Sequence, residues 1–294
     1  MRIFFLHNFL KSPSFELSLF IFIIAIQNPN TRNFCLNFFK HRERRKKKEY
    51  KKNQKIGLSF GPTGGLFMYS HGIAKFLEEN YDLSDVIFAG TSGGCQPSYF
   101  LASGISMDDA WDKWALPMME DMWNDSYSKK LFNFLSPKIK PGFTCLTTGM
   151  ARSKRYLGKM QKKNNPIYEG NKLYLNILDI VNMKQISIAD WRSFDDLFYG
   201  VQSTQYIPFL FGFPFSIFRN KWCVDGFFID TRYEPLEDVF WIHLNPYKWQ
   251  NRGILHGLLA INNFYDINFH INEREKGYLD AKNNREIFEL LPMK

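Results

Sequence analysis

The sequence predicts an α/β fold built on a mostly parallel sheet. Two observations carry that expectation. Short apolar strands end in glycine-rich turns, and helical spacing follows each turn, an order that occurs twice between residue 56 and about residue 102. Ile56-Gly57-Leu58-Ser59-Phe60 reads as a buried strand and leads into Gly61-Pro62-Thr63-Gly64-Gly65. Over 69–80, Ile73, Phe76 and Leu77 share one helical face while Lys75, Glu78 and Glu79 lie opposite. Val86-Ile87-Phe88-Ala89 is a second strand, and Gly90-Thr91-Ser92-Gly93-Gly94 turns the chain into another helix. After Ser106 a helix is expected with Trp111, Trp114, Met118, Met119 and Met122 at mixed spacing; a core helix suits it better than a membrane-facing cap. Strands are expected at 173–180, 185–188, 221–224 and 239–244, with helices at 193–204 and from 271 onwards.

Composition narrows the function classes. With 45% hydrophobic residues and 30 Phe in 294, the chain can bury a large core, and wholesale disorder is excluded. No run approaches the roughly 18 uninterrupted apolar residues of a membrane span, which excludes a multi-pass membrane protein. The four cysteines, Cys35, Cys95, Cys145 and Cys223, form no CxxC pair, so a zinc ribbon or disulfide scaffold is not expected and a reducing, intracellular setting is.

The net charge of +9 is concentrated at one end: residues 1–55 carry +10 and the other 239 carry −1. Residues 1–54 therefore read as a leader and 55–294 as the folded domain, with an irregular Lys-, Gly- and Pro-rich insert at about 126–171. The leader holds an apolar stretch ending Phe22-Ile23-Ile24-Ala25-Ile26, about 15 Å as a helix and half a bilayer core, with no small-residue cleavage site after it. Residues 40–55 then place ten Lys/Arg against two Glu. That run suits attraction to an anionic membrane surface; a solvated, disordered leader is the plain alternative. Specific nucleic-acid binding is not expected, because the folded part is neutral.

The chemistry sits in two motifs. Gly90-Thr91-Ser92-Gly93-Gly94 fits G-x-S-x-G, a strained strand-to-helix turn that presents a serine hydroxyl at the carboxyl end of a sheet. The helix start after it adds N–H groups and a positive dipole end, useful to a developing oxyanion. Serine needs a base. His7 and His41 lie in the leader and His71 beside the glycine loop, while His243, inside an apolar run, reads as a core histidine. Asp225-Gly226, directly after Trp222-Cys223-Val224, instead puts a carboxylate at a strand end, though Asp-Gly is also a common turn dipeptide.

The ordered set of glycine loop, GTSGG and VDG resembles the patatin-like phospholipase family. Further likeness lies in the segment from Ser59 to Ile73, in Gln202–Phe209 as the segment before the aspartate strand, and in Glu275–Ala281 as the final helix, so that it covers about residues 55–285. The resemblance implies a three-layer sandwich, a mostly parallel central sheet with helices on both faces. It implies a serine–aspartate dyad without histidine, without metal and without cofactor, acting on lipid or phospholipid acyl esters. Carried over, Ser92 is the nucleophile and Asp225 the base; Thr63, Gly64 and Gly65 supply oxyanion N–H donors; Gly90, Gly93 and Gly94 shape the elbow; and Gly226 completes the aspartate motif.

The chain departs from the family where G-x-G-x-x-G becomes Pro62-x-Gly64-x-x-Phe67, with Leu66 in place of a basic residue, and where Phe227 follows Asp225-Gly226. Those departures motivate a second reading, a catalytically impaired membrane-associated scaffold. A third is a Ser–His–Asp α/β-hydrolase using His243 or His270, which would usually show more strands before its elbow. Phe209, Phe211, Phe213, Phe215 and Phe218 suit core packing better than an acyl groove, and Cys95 reads as a small buried residue.

Overall fold

Strand alternation sets the two faces of the sheet. Along β1 (Lys55–Phe60), Leu58 and Phe60 point into a large apolar core while Ser59 points to the opposite face. The computed structural model describes residues 49–121, 152–160, 165–207, 215–228, 232–249, 256–257, 260, 263 and 266–294, all within one unit, Glu49–Lys294. The apolar leader segment, most of the polybasic run, much of the insert and the stretch 208–214 lie outside the described residues.

The sheet is mixed α/β with seven strands: β1, β2 (Ile87–Gly90), β3 (Leu173–Asp179), β4 (Lys184–Ile188), β5 (Ser216–Phe218), β6 (Lys221–Asp225) and β7 (Val239–Leu244). Strands β7, β1, β2 and β3 are parallel neighbours, as the alternation of strands and helices predicts. β4, β5 and β6 join antiparallel. β4 pairs with β3 over Leu175–Asp179, which fills one edge of β3. The other edge is shared: β2 takes Leu173–Leu175, and β6, running the opposite way, takes Ile177–Asp179. The carboxyl ends of β2 and β6 therefore meet head-on along β3.

Helices α1 (Phe67–Asn80), α2 (Cys95–Ala102), α3 (Met107–Ala110), α4 (Phe194–Thr204), α5 (Pro246–Trp249) and α6 (Ile267–Asn283) surround the sheet. Ser106 caps α3 through Asp109 N–H, Ser193 caps α4 through Asp196 N–H, and Asp266 caps α6 through Phe269 N–H. A smaller core of Ile87, Ala89, Tyr174 and Trp241 on the other face lies beneath Tyr233 and Leu236. The mixed Trp/Met spacing after Ser106 has a backbone cause. Residues Trp111–Ala115 form a π-turn, whose wider coil shifts the apolar face yet still buries Trp114, Met118 and Met119. Within the expected irregular insert, residues 152–159 are helical, held to the preceding helix by Tyr156 Oη donating to Asp121 Oδ2 at 2.5 Å and by buried Leu157. Ser216–Phe218, within the Phe-rich segment expected to pack in the core, is the edge strand β5.

α1 and α6 cross closely enough for backbone to touch backbone. A Cβ at Gly72 would collide with the Arg274 carbonyl, and one at Gly277 with that of Tyr69. Gly277→Ala is therefore expected to destabilise the fold by about 1–3 kcal/mol in a urea melt, with the loss coming from the helix pair rather than from propensity, which favours Ala.

Candidate active site

The site forms where β1, β2 and β6 end. Thr91 N–H donates to Phe60 O at 3.0 Å and Gly61 N–H to Leu244 O at 2.8 Å, which holds the ends of β2, β1 and β7 level. The chain then turns within a residue. Ser92 takes φ +55°, a left-handed backbone that a residue with a Cβ adopts at a cost of roughly 1–3 kcal/mol. The turn is held from outside, since Ser92 N–H donates to Thr204 Oγ1 at 3.2 Å and Thr204 Oγ1 donates to Asn176 O at 2.5 Å. Ser98 Oγ bonds Ala89 O and Gly94 O, pinning the following helix onto the strand it came from.

The elbow glycines are required by contact. A Cβ at Gly90 would strike the Cys95 backbone, and one at Gly94 the carbonyls of Phe60 and Gly61. At Gly93 it would meet Thr63 Oγ1, so the Thr63–Gly65 loop lies directly against the elbow. Gly64 has φ +58° and faces the Gly257 carbonyl, again without space for a side chain. Gly64–Leu66 is the first helical turn leading into α1, and the opening N–H groups of a helix have no intrahelical acceptor. Phe67, in the family's third glycine position, sits at φ −61° and ψ −32°, ordinary helical values, and packs against His270 with ring centroids 4.9 Å apart. This backbone has no use for a glycine there.

Asp225 ends β6, its N–H donating to Tyr206 O at 2.9 Å. Its Oδ1 accepts from Phe227 N–H at 2.8 Å, and the Ser92 side chain lies beside the carboxylate and favours its charged form. Ser92 and Asp225, 133 positions apart in sequence, are thus brought together, and both are nearly closed off, at 6% and 1% exposure. Burial dominates the electrostatics. It pushes the Asp225 carboxyl up to about 7, against the downward pull of the Ser92 side chain and the Phe227 N–H. Cys95, fully buried and accepting from Gln205 Nε2 at 3.1 Å, is pushed well above the usual thiol range by burial and then by the Asp225 charge. Tyr247 is also raised, first by burial and then by the same carboxylate.

The histidines have other company. His243 is half-buried and makes a hydrogen bond with Glu234 through Nε2 at 2.9 Å, so it is not a core residue. His71 stacks on Trp114 with centroids 5.5 Å apart, and burial followed by the Arg274 charge lowers its pKa to about 3, which keeps it neutral. Among the described residues no group of three His, Cys, Asp or Glu side chains is arranged to hold a metal. A depression of about 590 Å³ lies at the opposite end of the strands, lined by Lys55, Val86, Lys172 and Val239, away from Ser92.

Sequence reasoning missed Asn176. Its Nδ2 donates to Thr91 Oγ1 at 3.2 Å and to Gly226 O at 3.3 Å, tying the serine turn to the aspartate turn, and its Oδ1 accepts from Gln185 Nε2 at 2.9 Å. The available signal was a polar residue in the middle of the apolar run Leu173–Leu178.

No family model and no curated protein matches the chain. Among solved structures, the crystal structure of VipD from Legionella pneumophila matches with a TM-score of 0.40 and 12% identity, over 69% of this chain and 54% of that one. The chain thus spans about half the length of that structure.

Two outcomes follow from this geometry. Thr204→Val leaves the Ser92 N–H without its acceptor and is expected to cost about 1–3 kcal/mol in chemical denaturation. Asp225 binds its proton more tightly in the folded chain, at about 7, than at its ordinary 3.8, so the stability it confers is complete below that lower value and is lost as pH rises through about 7. Asp225→Asn is therefore expected to raise the melting temperature relative to wild type near pH 8 and to change it little near pH 4.

Proposed function

We propose that the protein is a lipid acyl hydrolase of the patatin-like type, cleaving carboxylic esters through a Ser92 acyl-enzyme. The observation that carries this reading is the placement of the Ser92 side chain beside the buried Asp225 carboxylate at the carboxyl end of a mostly parallel core sheet. Ser92 Oγ attacks the ester carbonyl as Asp225 takes its proton, and the leaving alcohol receives that proton as the C–O bond breaks. Water then attacks the acyl-serine, Asp225 again accepting a proton and returning it to Ser92 Oγ. The tetrahedral oxyanion is held by N–H groups of the Thr63, Gly64 and Gly65 loop that touches the elbow at Gly93, at the positive end of the helix that opens at Ser92. A raised carboxyl suits this task, because a base near 7 accepts a proton readily and still gives it up. The basic run at 40–55 would hold the enzyme near an anionic membrane surface.

A second reading, the catalytically impaired scaffold, draws on the burial of Ser92 and Asp225. A fluorogenic ester separates the two. Under the hydrolase reading Ser92→Ala and Asp225→Asn each lower kcat/KM by roughly a thousandfold or more, whereas wild type and Ser92→Ala at equal rates abandon it. His243→Ala is expected to cause only a modest loss, since its partner is Glu234. For wild type, kcat/KM should rise with pH and level off above about 7, as Asp225 gives up its proton.

A further inference from the structure

Two antiparallel hairpins rise past the candidate site at the end of the sheet where Ser92 lies. Along β6, Lys221 stands four residues before Asp225, about 13 Å further out, and β3 runs beside it into the turn at 180–183. Ile180 N–H donates to Trp222 O at 2.9 Å, so the two tips are tied together. Their side chains are apolar and open to solvent: Val181 is 65% exposed, Ile217 65%, Trp222 49% and Met183 41%. Ile217 and Trp222 are direct cross-strand partners on one sheet face, and Phe215 stacks on Trp222 with centroids 4.4 Å apart. Isolated exposed apolar residues are ordinary, but four on two joined tips make a patch.

The two tips carry only basic charged residues of their own, Arg219 in the β5–β6 turn being paired with Asp190 at 2.9 Å and Asp196 at 2.6 Å. Lys184 and Lys221 are exposed, and Lys184 has no carboxylate partner among the described residues. A third carboxylate, Asp179, is buried at the base and turned to the Asn182 amide and, at 3.6 Å, to Lys221. Neither 180–185 nor 215–222 contains an acidic residue. Apolar tips with an indole and flanking lysines match the boundary between acyl chains and anionic head groups, where aromatic rings settle and ammonium groups reach phosphates.

We infer that these two hairpin tips form an interfacial docking surface that inserts Val181, Ile217 and Trp222 into an anionic phospholipid surface and brings the Ser92 end of the sheet down onto it. The inference rests on the lipid-hydrolase reading, because it gives that site its substrate at an interface rather than as a free molecule. It is separate from the 40–55 run, which acts through charge alone.

The test uses the full chain and its Val181→Ser/Ile217→Ser/Trp222→Ser variant, with vesicles of phosphatidylcholine and phosphatidylserine bearing brominated acyl chains. Both proteins keep the same basic run, so its contribution cancels. The variant should partition to vesicles roughly tenfold more weakly or worse while hydrolysing a soluble short-chain ester at the wild-type rate. Bromine should quench wild-type indole emission, and single Trp222→Ser should remove most of that quenching. Equal partitioning of variant and wild type overturns the inference, as does a wild-type dimer that the variant splits, which would make the patch a contact between copies. Partitioning is read without turnover: vesicle binding lost in the variant, with no ester hydrolysis by wild type, would sink the hydrolase reading and keep the docking surface.

Discussion

The constraint on which the site depends is the sharing of one edge of β3 by two strands. β2 reaches it from below and stops opposite Leu175; β6 reaches it from above and stops opposite Ile177. Ser92 follows the first and Asp225 ends the second, so the two side chains meet in the gap between the strand ends. A parallel sheet alone would not produce this. It requires the chain to reverse through the β5–β6 hairpin after α4, and β4 to occupy the other edge of β3 so that β6 is directed to the edge beside β2.

Once the ends meet, polar groups around the gap must be satisfied, because Thr91, Asn176 and Thr204 are fully buried. Asn176 and Thr204 do this. Thr204 accepts from the Ser92 N–H and donates its own hydroxyl to the Asn176 carbonyl, while the Asn176 amide links Thr91 to Gly226. The left-handed Ser92 is thus held by Thr204 of α4, itself anchored on β3, as well as by Cys95 N–H on its own carbonyl, which is how a strained turn persists. The same enclosure raises the Asp225 carboxyl, so the feature that suits it to proton transfer also costs stability at neutral pH.

Much of the fold was legible. The strands at 56–60, 86–89, 221–224 and 239–244 and the helices at 69–80 and 193–204 correspond to described elements within a few residues, because each has an apolar period ended by glycine, proline or a capping serine. The edge strand β5 was hidden by its length of three residues and its aromatic flanks. The π-turn at Trp111–Ala115 was hidden because it breaks the period by which helices are recognised. Phe67 shows the reverse case. A residue that seemed to conflict with a glycine position is accommodated because the backbone there is helical.

The sequence by itself determined the local chemistry: a glycine-rich elbow at Gly90–Gly94, a carboxylate at a strand end, and a charge split between residues 1–55 and the rest. Those properties depend on neighbours in the chain. Only the tertiary structure decided that Ser92 and Asp225 meet, that Asn176 joins their turns, that His243 belongs to Glu234, and that two hairpin tips stand exposed beyond the site. Each of these depends on strand order and register. Which edge a strand takes is fixed by how all seven strands and their helices bury their apolar faces together, and no short stretch of sequence carries that information.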